Sequence, residues 1–224
     1  MSLDWSACRN ARDLGGLPTA DGGRIRAGAL WRTGHHDRLP VAAAQAARDG
    51  GVSRVVDLRW SWELEHRPSP FAGDSVYRHV PMINDVLDYV PPPDTYAPML
   101  DHNRERIGTA VRAVAEAPPG PVVVHCHAGR DRTGVLVALL LRLAGVDHAV
   151  IADDYARTEG CSPQPMLHTL AHLDERYGGV EPYLLQTGTG VAVQQALRSR
   201  LRDQDLSCPA DGSGSAASRP DVVG

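Results

Sequence analysis

Cys126 and Arg132 frame the run Cys-His-Ala-Gly-Arg-Asp-Arg, with Thr133 and Gly134 directly after it. The spacing alone is weak evidence, because arginine fills 23 of 224 positions and the chain has four cysteines. The context is more telling. An apolar run, Pro121 to His125, leads into the thiol, a small-residue turn follows, and Thr133 to Leu143 is apolar on nearly every side. A strand-turn-helix of this kind points several backbone N–H groups at one spot and adds the positive end of the helix dipole, which makes a receptor for an oxyanion. The same field favours thiolate, the nucleophilic form of a cysteine placed in it. Gly129 permits a backbone conformation that a Cβ would oppose, and Ala128 keeps the turn narrow. Arg132 can grip two non-bridging oxygens of a phosphoryl group and hold it in line with the sulfur. Thr133 can offer its hydroxyl to the sulfur as it leaves. The chemistry to which these residues point is transfer of a phosphoryl group onto Cys126, followed by hydrolysis.

The elements that would carry this turn alternate along the chain. Strands are predicted at Ala29–Thr33, Arg54–Arg59, Val76–Met82 and Pro121–His125, and helices at Leu39–Gly50, Arg104–Ala117, Thr133–Leu143, Asp147–Thr158, Pro165–Arg176 and about 186–202. This alternation implies an α/β fold with a mainly parallel central sheet flanked by helices, in which ligands sit at the carboxyl ends of strands. Asp85 to Pro98 contains Pro91, Pro92, Pro93 and Pro98 and reads as a loop or lid. Residues 1–206 are expected to form one domain, and the Ser-, Gly-, Pro- and Ala-rich stretch 207–224 a disordered tail.

Composition narrows the function. The 42% hydrophobic content supports a real core. A formal net charge of -4 argues against a nucleic-acid or anionic-membrane binder, so any anion selectivity must be local. All 23 basic residues are arginine. The first ten residues carry no secretory pattern, and the longest apolar run, Val135 to Leu141, is far short of the ~20 residues of a membrane span. The expectation is a cytoplasmic protein with no stable membrane insertion and no nucleic-acid partner. Cys8, Cys126, Cys161 and Cys208 are scattered and are expected to be reduced.

Other readings of the turn fit less well. His125, Cys126 and His127 are not a metal site, because neighbours on an extended segment face opposite ways and no second ligand pair lies at a familiar spacing. Gly129 and Gly134 have the separation of a nucleotide-binding loop, but Val135 replaces its lysine. A cysteine protease or amidase would need a separate histidine base and would give Arg132 no role. No metal, nucleotide or other cofactor is implied. The rival from another class is a non-catalytic phosphate- or phosphoprotein-binding module that keeps the loop without turnover.

The run His125 to Gly134 resembles the signature loop of cysteine-dependent protein tyrosine and dual-specificity phosphatases. Asn10-Ala-Arg-Asp-Leu-Gly-Gly16, Trp31-Arg-Thr-Gly34 and Val56-Asp-Leu-Arg59 resemble motifs of a bacterial branch of that superfamily, whose members act on phosphotyrosine and also on phosphoinositides. The resemblance implies a protein tyrosine phosphatase-like fold, Cys126 as nucleophile, Arg132 as phosphate clamp, a phosphate cradle from His127 to Arg132, and His125 tuning the thiolate. Its substrate would be a phosphotyrosine protein or a phosphoinositide. Arg130 stands where the family often has lysine, and Trp60 where it commonly has a small polar residue.

A phosphomonoesterase also needs a carboxylic acid to protonate the leaving oxygen and later to activate water. Asp131, supplied by the Asp-Arg-Thr pattern, comes first. Asp85 follows, resembling the mobile-loop acid of dual-specificity phosphatases, and Asp57 at another strand end is third. Arg59 and Glu63, four apart, are expected to pair with each other, and Asp13 before Gly15-Gly16 to shape a turn.

Overall fold

The computed structural model describes residues 5–84 and 94–203. Five strands, β1 (Arg12–Asp13), β2 (Leu30–Thr33), β3 (Arg54–Asp57), β4 (Tyr77–His79) and β5 (Val122–His125), form one sheet in the order β1-β2-β5-β3-β4. β2, β5, β3 and β4 are mutually parallel, and β1 alone runs antiparallel, against β2. The sheet is therefore mainly parallel and helix-flanked, as the alternation predicts.

β5 lies at the centre because both of its faces are apolar. Val122 and Val124 pack into the large core on one side, and Val123 packs with Val55, Phe71 and Trp5 on the other. Complete burial of each such valine contributes ~1.5–3 kcal/mol. Helix α1 (Val41–Asp49) covers the second face with Ala44 and Ala47. The first face holds α5 (Asp131–Leu143), wrapped by α4 (Arg104–Ala115), α6 (His148–Ala156), α7 (Gln164–Tyr177), α8 (Val180–Gln186) and α9 (Val191–Leu201). From Arg132 to Leu141 every residue of α5 is buried, which accounts for its all-round apolar sequence. No helix among the described residues is long and apolar enough to cross a membrane.

Two short helices depart from the sequence expectation. α2 (Ser61–His66) starts where Glu63 reaches back to the Trp60 N–H at 2.7 Å, a cap that stabilises a single turn too short to show periodicity. α3 (Ala97–His102) occupies the end of the stretch read as a loop or lid, with Pro98 tolerated in its first turn. Residues 85–93 of that stretch, with Asp85, and the expected tail 207–224 lie outside the described residues. α8 is a separate helix before α9, divided from it by Thr187 to Gly190.

Thr33, His125, Asp57 and His79 lie side by side in register at the carboxyl ends of β2, β5, β3 and β4. The chain leaves β5 from this row into Cys126.

Candidate active site

The turn from Cys126 to Arg130 is held by its carbonyls. His127 O accepts the His35 N–H at 3.0 Å, Ala128 O accepts Asn10 Nδ2 at 2.9 Å and Gly129 O accepts Arg32 Nη2 at 2.9 Å. With three successive carbonyls anchored to the N-terminal segment, the amide groups between them are aimed the other way. None of the N–H groups of residues 127–132 has a protein acceptor among the described residues. Unpaired amides grouped at the amino end of a helix can receive an oxyanion. Gly129 is essential to the geometry, since its φ is +70° and a Cβ there would meet Thr33 O at 2.5 Å.

The sequence motifs before residue 60 are the scaffold of this loop. Arg12 Nε and Arg32 Nη1 both bind the buried Asp154, at 2.8 and 3.0 Å, which fixes Arg32 where it reaches Gly129. Asp13 accepts the Gly15 and Gly28 amides and shapes a turn, as expected. Gly34 approaches the His127 and Ala128 carbonyls so closely that a Cβ would stand 3.3 Å from each.

Cys126 forms part of the lining of a cavity of about 560 Å³ together with His127, Ala128, Arg130, Asp131 and Arg132 from the loop, and Trp60, Trp62, Glu63, His66 and Arg67 from α2 and its flanks. Its accessible surface is only 1% because it sits at the base of that cavity. Arg132 is chelated by Glu63, with Nη1 to Oε2 at 2.5 Å and Nη2 to Oε1 at 3.1 Å, and its Cζ stands 4.5 Å from the centre of the Trp60 ring. Burial opposes its charge, but Cys126 and Glu63 raise its pKa above the ordinary arginine value. Burial also opposes ionisation of Glu63, yet Arg132 holds it below the usual carboxylate range. The expected Arg59–Glu63 pair is therefore corrected. Glu63 belongs to Arg132, and Arg59 turns back to Asp57, at 2.6 Å between Nη2 and Oδ2.

The three candidate acids separate. Asp131 borders the cavity beside Cys126, accepts the Tyr96 hydroxyl at 2.5 Å and is paired with Arg130 Nε at 3.2 Å. Tyr96 is in turn bonded to the Tyr155 hydroxyl at 2.6 Å, and burial followed by Asp131 raises its pKa, so it stays a proton donor. Asp57 does not line the cavity. It is fully buried, receives Arg59 and, at 2.9 Å, the Tyr77 hydroxyl, and despite burial the neighbouring His125 and Arg59 hold it ionised. Its Oδ2 stands 3.4 Å from His125 Nε2. Asp85 lies outside the described residues.

His125 Nδ1 faces Cys126 O at 3.3 Å rather than the sulfur, and its ring centre lies 4.0 Å from that of His36, with the two planes tilted by 34°. Burial, against the pull of Asp57, lowers its pKa below the ordinary value. Thr133 Oγ1 is buried and has no hydrogen-bond partner among the described residues.

Sequence reading gave Glu63 the wrong partner and missed Tyr96 and the α2 wall. The signal for Glu63 was its position three residues after Trp60, the spacing of a helix cap, whereas nothing local marks Tyr96 as a neighbour of Asp131.

A family model described as the tyrosine phosphatase family matches residues 3–203. The chain is 28% identical to a tyrosine-protein phosphatase of Nostoc commune over 79% of this chain and 75% of that one. It is 27% identical to the triple specificity protein phosphatase PtpB of Mycobacterium tuberculosis over 75% of this chain and 73% of that one. The crystal structure of P. aeruginosa TpbA aligns with a TM-score of 0.46 at 16% identity, covering 84% of this chain and 95% of that one.

Proposed function

The chain belongs to the tyrosine phosphatase family, and from that premise we propose that it hydrolyses phosphotyrosine in proteins through a phosphocysteine intermediate formed on Cys126. The observation that carries this reading is one cavity bordered by Cys126, Arg132 and Asp131, beside a loop whose carbonyls are tied away from it.

In the first step the phosphoryl group lies in the cradle, with two of its three non-bridging oxygens on Arg132 and the third on loop amides. Cys126 Sγ attacks phosphorus as a thiolate. The S–P bond forms, the bond to the leaving oxygen breaks, and Asp131 gives that oxygen its proton. In the second step a water attacks phosphorus and passes a proton to Asp131. The S–P bond breaks, the thiolate returns and inorganic phosphate departs. Arg132 and the amides meet the charge on the equatorial oxygens in both steps, without reorganising. Trp60 and Trp62, stacked at 5.7 Å, give the cavity an aromatic wall suited to an aryl leaving group.

The test is hydrolysis of an aryl phosphate and of a phosphotyrosine peptide by the purified chain in the presence of a chelator. Turnover with a phosphocysteine burst is expected, and Cys126→Ser should abolish both. Stoichiometric phosphate binding with no turnover would instead establish the binding-module reading. Faster hydrolysis of a phosphoinositide than of any phosphotyrosine peptide would move the substrate to lipid.

A further inference from the structure

Beside the catalytic cavity lies a second one of about 480 Å³, lined by Arg9, His35, Asp37, Arg38, Arg67 and His127. His127 and Arg67 border both cavities. Three guanidinium groups thus meet one carboxylate, in a chain whose formal net charge is -4. Elsewhere the buried arginines near the site are committed to carboxylates, Arg12 and Arg32 to Asp154, Arg59 to Asp57 and Arg132 to Glu63. This group is not. Arg38 has no ion pair among the described residues. Arg67 meets Asp37 only at 3.4 Å, and the Arg9–Glu159 pair joins two side chains that are 66% and 72% exposed. Exposed pairs of this kind are weak and yield readily to a stronger anion.

Resting on the reading that the Cys126 loop takes a phosphomonoester, we propose that this second cavity binds another phosphate of the same substrate, so that the preferred target is a protein segment carrying two neighbouring phosphorylated residues. A phosphate dianion fits three guanidinium forks better than a carboxylate does, because it offers three terminal oxygens and up to two charges. Two adjoining open cavities suit an extended chain. A membrane lipid suits them less. Among the described residues the large exposed apolar side chains are Val41, Trp62, Leu185 and Val191, and only Trp62 lines either cavity, which leaves little apolar surface there to enter a bilayer boundary.

The experiment measures binding to the full-length Cys126→Ser protein by calorimetry, so it does not depend on turnover. The ligands are a peptide with one phosphotyrosine, the same peptide with two adjacent phosphotyrosines, and a soluble inositol bisphosphate. The second phosphate is expected to tighten peptide binding roughly tenfold or more. Combined Arg9→Ala and Arg38→Ala substitution, outside the catalytic cavity, should bring the two peptides within about twofold of each other without weakening the singly phosphorylated one. Arg78→Ala, elsewhere on the surface, should leave the gain intact. Equal affinities, a gain that survives the double substitution, a gain lost equally with Arg78→Ala, or a gain confined to inositol bisphosphate would each overturn the proposal. Aryl phosphate turnover by the wild-type chain reports separately on the catalytic reading.

Discussion

Glu63 grips Arg132 through both carboxylate oxygens, at 2.5 and 3.1 Å, with 7% and 9% of the two side chains exposed. The guanidinium is therefore oriented before any phosphate arrives, by a carboxylate that itself borders the catalytic cavity.

Removing that orientation should cost catalysis before it costs the fold. Displacement of a positioning group by about 1 Å can lower rates ~100-fold. Glu63→Ala is expected to lower kcat/KM about 100-fold on an aryl phosphate, and Glu63→Gln, which keeps the shape without the charge, about tenfold. Steady-state kinetics checks the order. Near-normal rates for both variants would mean that Arg132 finds its place unaided.

Trp60 braces the same guanidinium from its ring face at 4.5 Å, and its backbone N–H donates to Glu63 at 2.7 Å. A desolvated cation–π contact is worth ~1–2 kcal/mol, so Trp60→Ser should lower kcat/KM about tenfold and Trp60→Phe much less. Indistinguishable Ser and Phe variants would assign the Trp60 ring no part in holding Arg132.

Asp131 is expected to act on the leaving oxygen, and Asp131→Asn should lower kcat ~100–1,000-fold for an alkyl phosphate, less for a nitrophenyl phosphate, with loss of the basic limb of the pH–rate profile. Tyr96→Phe removes the 2.5 Å bond that orients Asp131 and should lower kcat with little change in KM. A basic limb that persists in the Asp131 variant would transfer the acid role to Asp85.

His36 and His125 are buried with ring centres 4.0 Å apart, and burial first, then mutual or nearby arginine charge against Asp57, depresses both below the ordinary 6.5. The unfolded chain then binds more protons than the folded one as the pH drops. Stability should be full above pH 6.5 and fall below it until the depressed folded values are reached, by up to ~1.4 kcal/mol per pH unit for each histidine. Urea denaturation between pH 7.5 and 5 measures this slope. His36→Phe should reduce it by about one proton, and an unchanged slope would show that other groups set it.

The sheet and the cradle were legible in the sequence because both rest on local pattern. Val122 to His125 could be read as a central strand from its unbroken apolar run, and the turn to α5 from its small residues and arginines. Asn10 and Arg32 lay inside legible motifs, but their task of tying down carbonyls could not be read, since it depends on chain crossings that no periodicity encodes. Glu63 was misread because the i,i+4 rule assumes an exposed helix surface, whereas here Asp57 and Arg132 compete for the two side chains in the interior. α2, α3 and β1 are too short to leave a repeat.

The anchors of the loop are remote along the chain, 118 positions back for Asn10 to Ala128 and 97 for Arg32 to Gly129. A nascent polypeptide emerging from the ribosome therefore exposes the anchors Asn10, Arg32 and His35 long before the segment they must fasten exists. Arg12 and Arg32 find their common carboxylate, Asp154, later still. Shortened chains ending before that aspartate would keep the Asn10 and His35 ties but leave Arg12 and Arg32 without their common carboxylate, so full catalytic competence should arrive only once Asp154 has been made.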